Sequence, residues 1–122
     1  MWSLRCQTSN KTYLGNFMEV HIKIYETPGD VLIAVCDEDI LGKKFFFNDV
    51  IFEVKESFYK GERKNLEEIK PILERATILN LVGVETVKKC IEWGFIKKNN
   101  VIKVGKTVHA RRRNRLFLLI KT

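Results

Sequence analysis

The chain has 122 residues, of which 45% are hydrophobic and 30% are charged, and its formal net charge is +7. This composition predicts a single globular domain with its own core, and it excludes a disordered chain. Its three cysteines, Cys6, Cys36 and Cys90, are an odd and widely spaced set, which argues against a disulfide framework or a zinc site and favours reduced thiols in the cytoplasm.

The positive charge is confined to one end of the chain. Residues 1–100 contain 15 Lys and Arg against 15 Asp and Glu, whereas residues 101–122 contain seven cations and no acid. The body of the protein is therefore neutral, and the whole excess lies at the C-terminal end. No apolar run is long enough for a secretory signal or a membrane span, so we expect no membrane contact.

Residues 1–54 predict an N-terminal arm and two hairpins. Residues 1–17 are polar and irregular, which indicates a loosely ordered arm. Residues 19–25 alternate apolar and polar side chains, typical of a strand with one wet face on which His21 lies at the surface. A Pro-Gly turn leads to the continuously apolar Val31–Cys36, which predicts a strand covered on both faces. Residues 43–47 and 50–54 predict the second hairpin.

The longest helical pattern lies in the middle of the chain. Residues 56–64 read as a loop, and Asn65 is a candidate cap for the next helix. Pro71 either kinks a helix that begins at residue 66, or follows a short turn at 66–70 and is the first residue of the helix. The apolar spacing from Ile72 to Val82 extends the helix to Gly83. Residues 84–91 have the spacing of a second, shorter helix. The pattern approximates a helix-hairpin-helix motif, but Glu85 stands where a phosphate-binding glycine belongs, so the stretch favours core over site.

The order of these elements predicts the fold class and the boundaries of the domain. A last hairpin is expected at residues 101–104 and 107–110, followed by an arginine run and the apolar residues 116–120. We therefore predict an α+β two-layer sandwich, a mostly antiparallel sheet of hairpins with a helix pair packed on one face. The expected organisation is an arm at 1–17, one domain at 18–110, and a basic C-terminal extension at 111–122.

Catalytic and metal-binding patterns are weak. Cys36, Asp37 and His109 are a conceivable nucleophile and base, but acidic neighbours of a thiol oppose its ionisation. The three acids that follow Cys36 lack the loop that a calcium site requires. No motif for a nucleotide, a hydrolase or a zinc peptidase is present. We expect no catalytic residue, cofactor or metal, no evident small-molecule substrate, and no enzyme activity.

The basic end carries the clearest functional pattern. Arginine offers planar, multidentate donors that suit phosphate, and several cations along a strand can follow a nucleic-acid backbone. The alternatives are a solvated tail, and an added strand formed by residues 116–120. The candidate nucleic-acid-binding residues are Lys103, Lys106, His109, Arg111, Arg112, Arg113, Arg115 and Lys121.

Three blocks of sequence, in order, resemble a known family. They are Cys36-Asp37-Glu38-x-x-Leu41-Gly42-Lys43 followed by Phe45, then Ala76-Thr77-Ile78-x-Asn80-Leu81-Val82-Gly83, then Val101-Ile102-x-Val104-Gly105-x-x-x-His109-Ala110. Together they are similar to the archaeal domain-of-unknown-function family 424, over about residues 18–110. The resemblance implies a small cytosolic α+β protein and brings no reaction or cofactor. Residues 1–17 and 111–122 lie outside it.

These observations lead to one main hypothesis and two alternatives. The main hypothesis is a non-enzymatic RNA- or ribosome-associated module that binds through the basic C-terminal end. The first alternative is an adaptor that contacts a protein partner through the helix pair or the terminal apolar run. The second is a small enzyme with a site near residues 36–39 or His109, which requires those groups to lie within hydrogen-bond reach.

Overall fold

The computed structural model describes residues 18–113. The arm predicted at residues 1–17, and Arg115, Lys121 and the apolar run 116–120, lie outside the described residues. In the described part the strands are β1 (Glu19–Glu26), β2 (Val31–Asp37), β3 (Lys44–Phe47), β4 (Val50–Glu53), β5 (Glu62–Asn65), β6 (Ile78–Val82), β7 (Val101–Val104) and β8 (Thr107–Arg113). The α-helices are α1 (Glu56–Tyr59), α2 (Lys70–Leu73) and α3 (Val84–Glu92).

Six of the strands form one mixed sheet in the order β5-β1-β2-β6-β8-β7, and β3 pairs with β4 in a separate hairpin. Strands β2 and β6 run parallel at the centre of the sheet, while the other neighbours are antiparallel. The register places Cys36 opposite Val82, and Val82 opposite His109. The predicted α+β class with a mostly antiparallel sheet is confirmed.

The two faces of the sheet have different covers. On one face, apolar side chains of β1, β2, β6 and β8 pack against α2 and α3 in a single core cluster. On the other face, Ala34, Cys36 and Val82 pack against Val54 and Tyr59, which come from the β3–β4 hairpin segment and α1. We call these the helix face and the hairpin face. Strand β2 is covered on both faces, as its continuous apolar run predicted.

The helix predicted from Pro71 to Val82 is wrong beyond its first turn. Helix α2 ends at Leu73, and residues Ile78–Val82 form the central strand β6. Leu79 and Leu81 face the helices, whereas Val82 faces the hairpin, so both sides of this run are buried. A short run that is apolar on both sides satisfies a buried strand as well as a helix, and parallel pairing with β2 decides the outcome.

Two further local predictions are wrong. The loop predicted at 56–64 contains α1 and most of β5, which lies at the sheet edge and pairs with β1. His21, predicted at the surface, is buried, and no described group bonds its Nδ1. Its side chain shares the hairpin face with Cys36, which is opposite it on β2. The face of β1 that was expected to be wet is therefore covered at this position.

The last strand extends past the boundary drawn at Ala110. Arg111, Arg112 and Arg113 pair with Asn80, Leu79 and Ile78 of β6, so they belong to the sheet. Within residues 18–113, no helix has the length and apolar character that crossing a membrane demands.

Candidate functional site

Two central strands end at the same edge of the sheet. Because β2 and β6 are parallel, their carboxyl ends, at Asp37 and Val82, point the same way. Gly83 then joins β6 directly to α3, so the amino end of that helix also lies at this edge. In open sheets, ligands bind outside the carboxyl ends of parallel strands. This edge of the sheet is therefore the candidate site.

Asp37 occupies the amino end of α3. Its carboxylate accepts hydrogen bonds from the backbone amides of Glu85 and Thr86, at 3.1 and 2.9 Å, and from the Thr86 hydroxyl at 2.6 Å. Burial raises the pKa of Asp37, and these hydrogen bonds oppose the shift. The helix terminus that the hairpin pattern marked as a possible phosphate site is thus filled by a carboxylate of the chain itself.

Gly83 makes this arrangement possible. Its φ is +118°, a conformation that side chains disfavour, and a Cβ there would lie 2.6 Å from Asp37 Oδ1. The glycine predicted as a helix C-terminal residue instead begins α3, and it leaves the space that the Asp37 carboxylate fills.

A cavity of about 320 Å³ opens beside this capped helix. Its walls combine acidic, basic and apolar side chains from β2, the loop after it, β3, α3 and the β7–β8 turn. The lining residues are Met18, Asp37, Asp39, Ile40, Lys43, Phe45, Val84, Glu85, Lys106 and Thr107. Among residues 18–113, no three or more His, Cys, Asp or Glu side chains are grouped to hold a metal ion.

The three sequence blocks that resemble a family meet at this edge. The first contributes Asp37 and Lys43 to the cavity, and the second ends at Gly83, in contact distance of the Asp37 carboxylate. The third contains Thr107, and the Gly83 amide donates to the carbonyl of its Val108 at 2.9 Å. Segments far apart in sequence are therefore brought to one place by the parallel pairing of β2 with β6 and the antiparallel pairing of β6 with β8.

His109 belongs to a separate polar cluster on the hairpin face. Its Nε2 lies 3.1 Å from Asn80 Oδ1, which also accepts a 2.6 Å hydrogen bond from the Tyr59 hydroxyl. A carbonyl oxygen only accepts, so the His109 Nε2 carries the hydrogen. Burial lowers the pKa of His109, and the positive charge of Arg111 lowers it further. The ring of Phe52 lies 5.2 Å from the imidazole, between centroids.

The structure does not bring Cys36 and His109 together as a nucleophile and base. Val82 lies between them in the register, which separates them by two strand spacings, roughly 10 Å. The Cys36 thiol donates to the Asp37 carbonyl at 3.1 Å, and burial, with the charges of Asp37 and Asp39, raises its pKa to about 12. Cys36 and Cys90 are both buried free thiols, as predicted.

Five of the predicted nucleic-acid-binding residues are lysines or arginines within the described range, and these five divide into two groups. Lys103, Lys106 and Arg111 are exposed, and none forms an ion pair with another residue of the described range 18–113. Arg112 and Arg113, in contrast, have internal partners. Arg112 donates to the backbone carbonyl of Phe95, and Arg113 donates to both carboxylate oxygens of Asp30, at 3.0 and 3.2 Å.

Exposed apolar side chains lie on the strands near the basic turn, and no pattern described above predicted them as a site. Phe46, Ile51 and Ile102 are 72%, 56% and 52% exposed. Phe46 pairs with Ile51 across the β3–β4 hairpin, and Gly105 packs against the Phe46 backbone. The run of three phenylalanines at residues 45–47 could have predicted an exposed aromatic side chain, because consecutive residues of a strand cannot all face the core.

Comparisons with known proteins agree with the resemblance seen in the sequence. The family described as "Protein of unknown function (DUF424)" matches residues 25–112. No curated protein matches the chain. Among solved structures, the chain is similar to an uncharacterized conserved protein from Methanopyrus kandleri, with a TM-score of 0.65 and 20% sequence identity, over 77% of this chain and 90% of that one. That likeness concerns the fold alone. By the extent of the family match, the chain belongs to the DUF424 family.

Proposed function

We propose that this protein is an RNA-binding module that contacts phosphates through the β7–β8 hairpin. The observation that carries the proposal is the absence of acids from residues 101–122, together with three exposed cations, Lys103, Lys106 and Arg111. Elsewhere cations pair with acids: Arg63 with Glu19 and Glu38, for example. A hairpin that carries exposed cations and no acid of its own favours a polyanionic partner.

The internal partners of Arg112 and Arg113 change how the arginine run acts. Because Arg112 holds the Phe95 carbonyl and Arg113 holds Asp30, these two side chains fasten the last strand to the rest of the protein. Binding phosphate through them would break those contacts. The proposal therefore assigns the phosphate contacts to Lys103, Lys106 and Arg111.

Phe46 adds a stacking surface to the proposal. Its ring is exposed and its backbone lies against Gly105 of the basic turn, and exposed aromatic rings near cations are typical of single-stranded nucleic-acid binding. Stacking tolerates any base, so the proposal predicts binding with little sequence preference.

The test is the salt dependence of binding to a labelled single-stranded RNA, followed by fluorescence anisotropy. Replacing Lys103 and Arg111 with Ala removes two phosphate contacts, and the slope of log K against log salt should fall by about 0.7 for each. The matched control replaces Lys70 and Lys88, two exposed lysines of α2 and α3, with Ala. Equal losses in both double variants would contradict the proposal, because net charge alone would then explain the binding.

A second candidate, a protein–protein adaptor, is favoured by the exposed apolar side chains of Phe46 and Ile51, which pair across the β3–β4 hairpin. Such a contact buries apolar surface and persists at high salt. A Phe46→Ala variant separates the candidates. An adaptor should lose a salt-resistant, nuclease-resistant partner in a pull-down, whereas the RNA module should lose only part of its salt-sensitive RNA affinity.

A further inference from the structure

The cavity at the carboxyl ends of β2 and β6 has the position and size of a small-ligand site. Its volume of about 320 Å³ falls at the lower end of the range typical of ligand pockets, about 300–1,000 Å³. The helix amides nearby are not available to a ligand anion, because Asp37 already accepts from two of them. Recognition must therefore come from the side chains of the walls.

The walls carry side chains of both charges, with Glu85 of α3 as a third acid among them. Asp37 and Asp39 lie at the end of β2, whereas Lys106 and Thr107 lie at the start of β8, with β6 between the two strands. Two strand spacings separate those ends, roughly 10 Å. Lys43, from the loop after β2, adds a second cation, and its backbone is held by hydrogen bonds with Ile40 and Val54.

Thr107 gives a second, independent indication of a ligand. It is 2% exposed and lines the cavity, yet its Oγ1 has no hydrogen-bond partner among the described residues. Buried hydroxyl groups are normally hydrogen-bonded. A hydroxyl in a cavity that two lysines also line suits an anion such as phosphate, to which it can donate.

The acidic end suits hydroxyl groups. Asp37 Oδ2 accepts one hydrogen bond, from the Glu85 amide, so it keeps lone pairs for another donor. The Asp39 side chain belongs to an exposed residue on the same wall. Carboxylates at strand ends bind sugar hydroxyls in this way. Phe45, Ile40 and Val84 supply the apolar part of the wall on which a sugar or base can lie.

We propose that this cavity binds a sugar phosphate unit, with the phosphate at Lys43, Lys106 and Thr107 and the sugar hydroxyls at Asp37 and Asp39. The unit can come from a free nucleoside monophosphate or from the phosphorylated end of an RNA. The proposal shares Lys106 with the RNA-binding hairpin, but it is tested at Lys43 and Thr107, which lie outside that set of phosphate contacts, so the two proposals can fail separately.

The test is titration of the full chain, followed by amide resonances in two-dimensional NMR. The probes are ribose 5-phosphate, inorganic phosphate, and one tetranucleotide with and without a 5′-phosphate. Ribose 5-phosphate or the phosphorylated tetranucleotide should shift the amides of Lys43, Gly83 and Thr107, and the tighter of the two identifies the source. The absence of such shifts with both would overturn the proposal, as would equal affinity for inorganic phosphate and ribose 5-phosphate.

Variants then tie the binding to the cavity. Lys43→Gln should weaken ribose 5-phosphate binding by roughly tenfold, since it removes one charge-assisted contact. Thr107→Val keeps the shape of the side chain and should also weaken binding. Lys88→Gln, an exposed lysine of α3 that does not line this cavity, should bind as the unchanged chain does. Because Lys43 is exposed, its variant remains informative even if Thr107→Val fails to fold. Unaltered binding by Lys43→Gln would contradict the proposal.

Discussion

The carboxylate of Asp37 accepts two hydrogen bonds from Thr86, one from its amide at 2.9 Å and one from its hydroxyl at 2.6 Å. The contact joins the end of a central strand to the first turn of α3, 49 residues further along the chain. It positions the helix that forms one wall of the cavity.

Removing this carboxylate should cost stability. Asp37→Ala leaves the amides of Glu85 and Thr86 and the Thr86 hydroxyl without their acceptor, and we expect a loss of about 2–3 kcal/mol in the free energy of unfolding. Urea denaturation measures it. The control is Asp39→Ala, an exposed neighbour, which should stay within about 0.5 kcal/mol of the unchanged chain. Equal effects would show that Asp37 does not cap the helix.

Gly83→Ala should also destabilise the protein, by at least about 2 kcal/mol, because its backbone conformation is strained for a side chain and the new Cβ meets Asp37. The double variant with Asp37→Ala distinguishes the two causes. Without the Asp37 carboxylate the collision disappears, so the double variant should lose less stability than the two single losses added together. Simple additivity would mean that the collision contributes nothing.

His109 should make stability depend on pH. Its folded pKa lies below the ordinary value of 6.5, so the unfolded chain binds more protons in the interval between the two values. Stability contributed by His109 is therefore present above pH 6.5 and is lost as the pH falls towards the folded pKa. The difference in unfolding free energy between the unchanged chain and His109→Gln should shrink on acidification. If this difference in unfolding free energy grew on acidification, the folded pKa of His109 would have to lie above its ordinary value.

Two truncations should differ in stability. A chain ending at Ala110 loses the strand pairs that Arg111, Arg112 and Arg113 make with β6, and also the bonds to Phe95 and Asp30. A chain ending at Arg113 keeps them. We expect the shorter chain to be less stable by about 2 kcal/mol or more in thermal or urea unfolding, since each hydrogen bond contributes about 1 kcal/mol. If the two truncated chains were equally stable, residues 111–113 would not contribute to the stability of the domain.

Local signals in the sequence were enough for the hairpins and for α3. The alternation of residues 19–25, the Pro-Gly turn and the helical spacing after Gly83 all arise from contacts close in sequence, and β1, β2 and α3 follow them. Asn65 was also a sound cap candidate: its Oδ1 accepts from the Glu67 amide at 2.9 Å, although the capped element is a short 3-10 turn.

Partners distant in sequence decided the rest. Glu62–Asn65 has no strand pattern of its own and becomes β5 only by pairing with β1. Ile78–Val82 becomes a strand because β2 lies beside it. The cavity depends on that same pairing, because Lys43 and Thr107 approach each other only once β2, β6 and β8 are side by side. No local spacing in the sequence predicts that these two residues line the same cavity.

The parallel pair at the centre of the sheet also bears on how the chain folds. The β1–β2 and β7–β8 hairpins join neighbouring segments, whereas Val31 and Thr77, at the start of the β2–β6 pair, are 46 residues apart. Closing that long loop lowers the entropy of the chain before the contacts between β2 and β6 can stabilise it. Non-local pairing of this kind therefore slows folding. We expect the two hairpins to form early and the central pair to form at the rate-limiting step. The edge where the cavity lies would then be the last part of the molecule to take shape.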